Sequence, residues 1–312
     1  MKLLTFEKSG KSSVGVSTDE GIVDLTRALG ETDPDVSADT MLDIIESGVD
    51  IDAVGGSALS QLRSSGKLGD YVVSDFQWRV PMARPPKILA LALNYQEHID
   101  ETNLEFYQEP IVFPKYSSNL LPHGGEIELP PFPQKVDEEI ELALVVGKDC
   151  RHIRPSQAAE HIFGYTICND VSARHRQRER GAMKQPYSYA KNFNSFCPMG
   201  PWIVTRAEIP DPSNLDMQVR VNGEVRRRGN TSKMIFSAYE VLAYCSDFLQ
   251  MEAGDIISLG TYAGEKQVYA GDEIEMEIEK IGVLRNTVVP AKAPWDNFTP
   301  ESETGPMVRE EA

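Results

Sequence analysis

Glu139 and Glu141 head an apolar run, Ile140-Glu141-Leu142-Ala143-Leu144-Val145-Val146, that reads as a buried strand. Successive strand side chains alternate faces, so the two carboxylates point the same way, roughly 7 Å apart at the backbone. Ile140, Leu142, Leu144 and Val146 point the other way, into apolar packing. Like charges this close repel unless something positive sits between them. Asp170, in Asn169-Asp170-Val171-Ser172-Ala173-Arg174, can close a triangle from a second segment. Three hard oxygen ligands that leave positions open suit Mg²⁺ or Mn²⁺ and a chelating substrate better than zinc. Taken alone, the run also fits an edge strand whose solvated end carries acids.

A second group of candidates surrounds this triangle. His98 and Glu101 lie three apart, so on a helical turn they share a face and can hydrogen-bond, with Asn94 as a cap. A histidine held by a carboxylate is a general base for activating water near neutral pH. A solvated polar pair on a surface turn fits the same spacing. Arg174 and Gln177 follow Asp170 by four and seven residues and would recur on one helix face; with Lys191 they supply donors for an oxyanion. Arg226-Arg227-Arg228 reads as a solvated cationic face, and His123, His152, His161 and His175 as ordinary surface or packing residues.

The elements that must position these residues are mostly strands. Lys2 to Phe6, Ser13 to Ser17 and Gly21 to Leu25 have strand character, and Met41 to Ser47 suits a helix. Residues 1–75 form a small α+β unit, and the proline-bearing stretch 76–86 an extended linker. From Lys87 to residue 293 short apolar strands dominate. Asn222-Gly223 marks a type I′ hairpin, Phe236 to Phe248 has helical spacing, and Gly254-Asp255 and Gly271-Asp272 open two more strands. The tail 294–312 is polar and acidic. This pattern is α+β and strand-rich, a mixed β-roll or sandwich rather than a doubly wound sheet.

Bulk properties narrow the function. The chain has 312 residues, 41% hydrophobic and 25% charged, which is ordinary for a soluble globular protein with a sizeable core. A net charge of −17 argues against nucleic acid as a partner. No apolar run is long enough for a signal peptide or a membrane span, so a cytoplasmic protein is expected. Cys150, Cys168, Cys197 and Cys245 form no CxxC pair and read as reduced, buried thiols. No GxGxxG or Walker loop is present, which argues against a nucleotide cofactor.

In order and spacing the chain resembles the fumarylacetoacetate hydrolase superfamily over most of its length. The resemblance rests on Asn94-Tyr95 with His98 and Glu101, Phe113-x-Lys115-x-Ser117-Ser118, and Glu139-x-Glu141. It continues through Gly164-Tyr165-Thr166, Asn169-Asp170-Val171-Ser172-Ala173-Arg174, Gln177, Lys191 and Phe196-Cys197-Pro198-Met199-Gly200-Pro201. Asn222-Gly223, Asn230-Thr231, Met234-Ile235-Phe236, Gly254-Asp255 and Gly260-Thr261 complete it.

The resemblance implies that Glu139, Glu141 and Asp170 hold Mg²⁺ or Mn²⁺, with Ca²⁺ able to take the site in crystals. It places Arg174, Gln177 and Lys191 against a developing oxyanion, and His98 and Glu101 on a lid that positions the catalytic water or proton. Thr261 and Lys115 are expected to bind substrate. A metal-dependent hydrolase cleaving a C–C bond in an acylpyruvate-like or other dicarbonyl acid follows, as a homodimer acting on a small molecule. The same metal would also serve a 2-oxo-acid decarboxylase, lyase or tautomerase, and a catalytically silent ligand-binding relative is a further alternative. The chain departs from the family pattern at His175, Tyr262 and Tyr116 and in the basic, Tyr-rich insert 178–189, so the substrate stays open.

Overall fold

The computed structural model describes residues 1–102, 108–130, 135–174, 187–264 and 266–292, except the side chains of Glu101, Thr102 and Ser188. Gln177, His175, most of the 178–189 insert and the tail expected over 294–312 therefore lie outside the described residues.

Strands organise the molecule, as expected of an α+β chain. The main sheet runs Val72–Val73, Gly21–Asp24, Lys11–Thr18, Lys2–Lys8, Cys197–Thr205, Ile162–Asn169, Ile140–Val146, Ile256–Ser258, Ile88–Ala92 and Ile111–Lys115. A five-stranded sheet runs Glu224–Asn230, Asp216–Val221, Glu273–Ile278, Gly282–Val289 and Glu126–Glu128. The first strands pair into the same sheet as the acid-bearing strand, through Lys2↔Val204 and Leu3↔Ile203. The proline-bearing connector joins it too, because Gln77–Arg79 pairs with Lys2–Lys8.

The acid-bearing strand is central, which removes the edge-strand reading. Ile140–Val146 lies between Ile162–Asn169 and Ile256–Ser258, and all seven residues are buried. Ile140, Leu142, Leu144 and Val146 enter one core with Tyr165 and Ile167. Ala143 and Val145, on the face of Glu139 and Glu141, enter another with Cys168, Cys197 and the N-terminal helices. Two apolar cores thus grip the strand and fix the direction of its carboxylates.

Turn chemistry is as expected. Asn222 and Gly223 take φ of 54° and 80° between paired Val221 and Glu224. The helix Ala238–Phe248 starts from a capping box made by Ser237 and Glu240. Helices beyond the expected elements include Leu25–Thr32 and Ile51–Ser64 among the described residues. Leu25–Thr32 begins at Leu25, assigned to a strand above, because Asp24 accepts the Arg27 N–H at 3.0 Å and caps the turn. Ile51–Ser64 carries Gly55-Gly56, poor helix formers, and Gly55 leaves the room that the Met1 side chain fills. No helix among the described residues is long and apolar enough to cross a membrane.

Candidate active site

Backbone pairing delivers the third carboxylate to the first two. Asn169 sits opposite Ile140, and its side-chain oxygen accepts the Glu139 N–H at 2.9 Å. The Asp170 N–H then donates to the Glu139 carbonyl at 2.9 Å. Ser172 donates its hydroxyl to the Asp170 carbonyl at 2.9 Å, which fixes the turn. Oxygens of Glu139, Glu141 and Asp170 lie within 4.8 Å of one another, and all three residues are buried. The stretch Asp170–Ala173 is not helical, since Ser172–Ala173 pairs with Val136–Asp137, and helical geometry is reached only at Arg174. The expected helical face that Asp170 shares with Arg174 is corrected on that ground, because the backbone between them is strand.

Three buried cations line the carboxylates. Lys191, at the end of the helix Tyr187–Lys191, donates to Glu139 at 2.7 Å and Asp170 at 2.5 Å. Arg174 donates from Nε to Asp137 at 2.8 Å and from its fork to Glu139. Lys115 bonds Asp170, the Lys191 carbonyl at 2.8 Å and the Phe196 carbonyl at 2.9 Å. Those acceptors use all three ammonium protons, so Lys115 serves to hold Asp170 rather than to face a ligand. Burial is the largest influence and works against the charge on Lys115 and on Lys191, yet Asp170 and the other acidic groups nearby together outweigh it, and both are held above the usual lysine value.

The two glutamates titrate in opposite directions. Burial alone would lift Glu139, but Arg174 and then Lys191 hold it well below the usual carboxylate range. Glu141 is pushed well above that range, first by burial and then by Asp170. Its described hydrogen bond is from the Gly260 N–H to Oε2, at 2.9 Å. Gly260 has φ of 85°, and a Cβ there would lie 2.9 Å from that of Asn94, so both conformation and space demand glycine. A buried all-oxygen donor set with one carboxylate short of positive charge fits a hard divalent cation.

His98 is buried on the helix Gln96–Thr102, and its charge would bear on Glu139. Glu101 lies on the same helix, but its side chain is outside the described residues. Asn94 does not cap this helix. Its amide donates to the carbonyls of Leu259 (2.8 Å) and Phe236 (3.0 Å), and its oxygen accepts the Phe236 N–H (2.8 Å). It thereby clamps the segment leading to Gly260 and Thr261. Thr261 is buried and accepts a hydrogen bond from Arg227 at 3.2 Å.

Residues 87–289, which hold every one of these groups, match the fumarylacetoacetate (FAA) hydrolase C-terminal family. The chain belongs to the fumarylacetoacetate hydrolase superfamily. It is 40% identical over 223 residues to human mitochondrial oxaloacetate tautomerase FAHD2A, covering 69% of this chain and 70% of that one. Fumarylacetoacetate hydrolase from Exiguobacterium antarcticum superposes with a TM-score of 0.76 at 31% identity, covering 93% and 99%. Maleylpyruvate hydrolase from Sphingobium sp. SYK-6, solved with manganese(II) and pyruvate, gives 0.74 at 27% identity, covering 94% and 100%. Fumarylacetoacetate hydrolase-superfamily enzymes thus include tautomerases and hydrolases, and the fold is theirs.

Two residues beside the site escaped the sequence reading. Asp137 was legible, since it precedes Glu139 by two and so shares its face along an extended segment. Arg227 was not: it is 7% exposed, against the expectation of a solvated cationic face. A two-residue hairpin at Asn222-Gly223 in simple register sets Arg226 opposite buried Val219. A bulge beyond Val219 moves Arg227 to that place instead. One extra residue reverses the faces of everything that follows.

Proposed function

We propose that this superfamily member performs divalent-metal-dependent enolate chemistry on a 2-oxo acid, with keto–enol tautomerisation of a 2-oxo dicarboxylate as its reaction. The observation that carries this reading is the buried triangle of Glu139, Glu141 and Asp170 within 4.8 Å. The named reaction draws on the 40% identity to an oxaloacetate tautomerase.

Glu139, Glu141 and Asp170 would hold Mg²⁺ or Mn²⁺. Bound there, the cation supplies Lewis-acid stabilisation of negative charge on a 2-oxo acid. Lys191 and Arg174 already bond oxygens of these carboxylates and keep Glu139 ionised. Lys191 would also supply the donor that meets an enolate oxygen. Thr261 supplies a hydroxyl for the substrate carboxylate. His98, buried near Glu139, moves the proton at the carbon next to the keto group, with Glu101 as its orienting partner.

His98 also favours a second reading, hydrolytic C–C cleavage of an acylpyruvate, in which the imidazole takes a proton from water. Likeness to a maleylpyruvate hydrolase supports this alternative. Protein loaded with Mn²⁺ and offered oxaloacetate and an acylpyruvate separates the readings. Faster decay of the oxaloacetate enol absorbance, abolished by chelator, is expected. Two carbon fragments from the acylpyruvate with no effect on the enol would favour the hydrolase. Inertness toward both would overturn the function proposed.

A further inference from the structure

We propose that Arg227 is a positioning residue of this site: its buried guanidinium ties the segment carrying Glu139 to the segment carrying Gly260 and Thr261, and makes Thr261 a hydrogen-bond donor to a 2-oxo acid's carboxylate. The inference rests on the metal-dependent 2-oxo-acid reading above and adds a residue outside the expected ligand set.

One fork nitrogen of Arg227 donates to the Glu138 carbonyl at 3.0 Å and the Glu138 carboxylate at 2.7 Å. The other donates to the Thr261 hydroxyl at 3.2 Å and the Tyr262 carbonyl at 2.6 Å. Glu138 immediately precedes Glu139, and Thr261 immediately follows Gly260, whose N–H holds Glu141. One planar cation therefore spans the chain segments beside two of the three carboxylates. Arginine does not lose its proton in proteins, so Thr261 can only accept on that side. Its own hydroxyl proton is left for another partner.

Tyr262 completes the arrangement. Its ring stands 4.7 Å from the guanidinium and packs edge-on against Tyr95, sealing the cation from water. The ring has room only because residue 229 is glycine, where a Cβ would fall 2.4 Å from it. Stability alone is a poor reason for this pair, since well-packed apolar residues of similar volume often stabilise a core as well as a buried ion pair does.

The double substitution Glu138→Met with Arg227→Met removes both charges at similar volume. Oxalate, whose vicinal oxygens mimic those of a 2-oxo acid enolate, serves as the probe in calorimetric titrations of Mn²⁺-loaded protein. The folded double variant should retain Mn²⁺ uptake yet bind oxalate about tenfold more weakly, the scale of one lost hydrogen bond to a charged group. Its KM for a 2-oxo acid should rise more than its kcat falls. Thr261→Val, which keeps the shape and drops the hydroxyl, should weaken oxalate about equally and serves as the test if the double variant does not fold. Arg227→Lys should not rescue, because a point charge cannot span both segments. Oxalate affinity within about twofold of the parent in either the double variant or Thr261→Val would overturn the inference. Parent protein that takes up no Mn²⁺, or no oxalate once loaded, would instead refute the metal-chelate reading and the inference with it.

Discussion

Ion pairs of the same residue types stand in two settings in this chain. Near the N-terminus, Arg63–Glu20 and Lys67–Glu31 lie on the surface, with every side chain at least 40% exposed. Around Glu139, the side chains of Arg174, Lys191 and Asp170 are at most 6% exposed. Water screens the first set, and such pairs add little to stability. The second set has exchanged hydration for contacts with one another, so removing one member strands the rest. The exposed pairs are replaceable decoration, whereas the buried ones form a unit whose cost is understandable only if a ligand uses it.

The difference can be broken most forcefully at Arg174. Arg174→Met leaves Asp137 and Glu139 buried with less compensation and should cost about 3–5 kcal/mol in denaturant unfolding of metal-free protein. A loss below about 1 kcal/mol would mean that these charges are better hydrated than their burial implies.

Proton linkage gives the next test. Glu139 is held low, so its stabilising contribution is present above the ordinary carboxylate value and fades as pH falls through its depressed one. Glu141 has the opposite sign: its contribution is full below the ordinary value and is lost as pH rises through its raised one. Within that second window Mn²⁺ should expel a proton from Glu141, and apparent affinity should climb with pH. Calorimetry in buffers of unlike ionisation enthalpy reads the proton directly. Uptake without proton release would show that Glu141 is already ionised or is not a ligand.

The smallest effect belongs to the surface. Arg63→Ala removes both hydrogen bonds to Glu20 yet should leave Tm within about 2 °C of the parent, measured by thermal unfolding. A larger drop would erase the contrast between the two settings.

Much of this arrangement was legible because local rules agreed with the fold. Alternation along Glu139–Val146 separated carboxylates from apolar side chains, and Asn222-Gly223 marked a hairpin without knowledge of anything distant. What escaped depended on contacts between remote segments. Asn94 looked like a helix cap, but its amide is taken by carbonyls at positions 236 and 259. Lys115 looked like a substrate group until its three acceptors were in place. Arg227 was hidden by a single bulge, which no pattern of polar and apolar residues announces. Glycines in Ile51–Ser64 masked a helix whose stability comes from packing rather than propensity.

The central claim, that the buried triangle is a divalent-metal site, is tested most directly by titrating Mn²⁺ into chelator-stripped parent protein and into Glu141→Ala, following the free-ion signal by electron paramagnetic resonance. The account predicts saturable uptake of one ion per chain in the parent and none in a variant that remains folded by circular dichroism. Equal uptake by both proteins would contradict it.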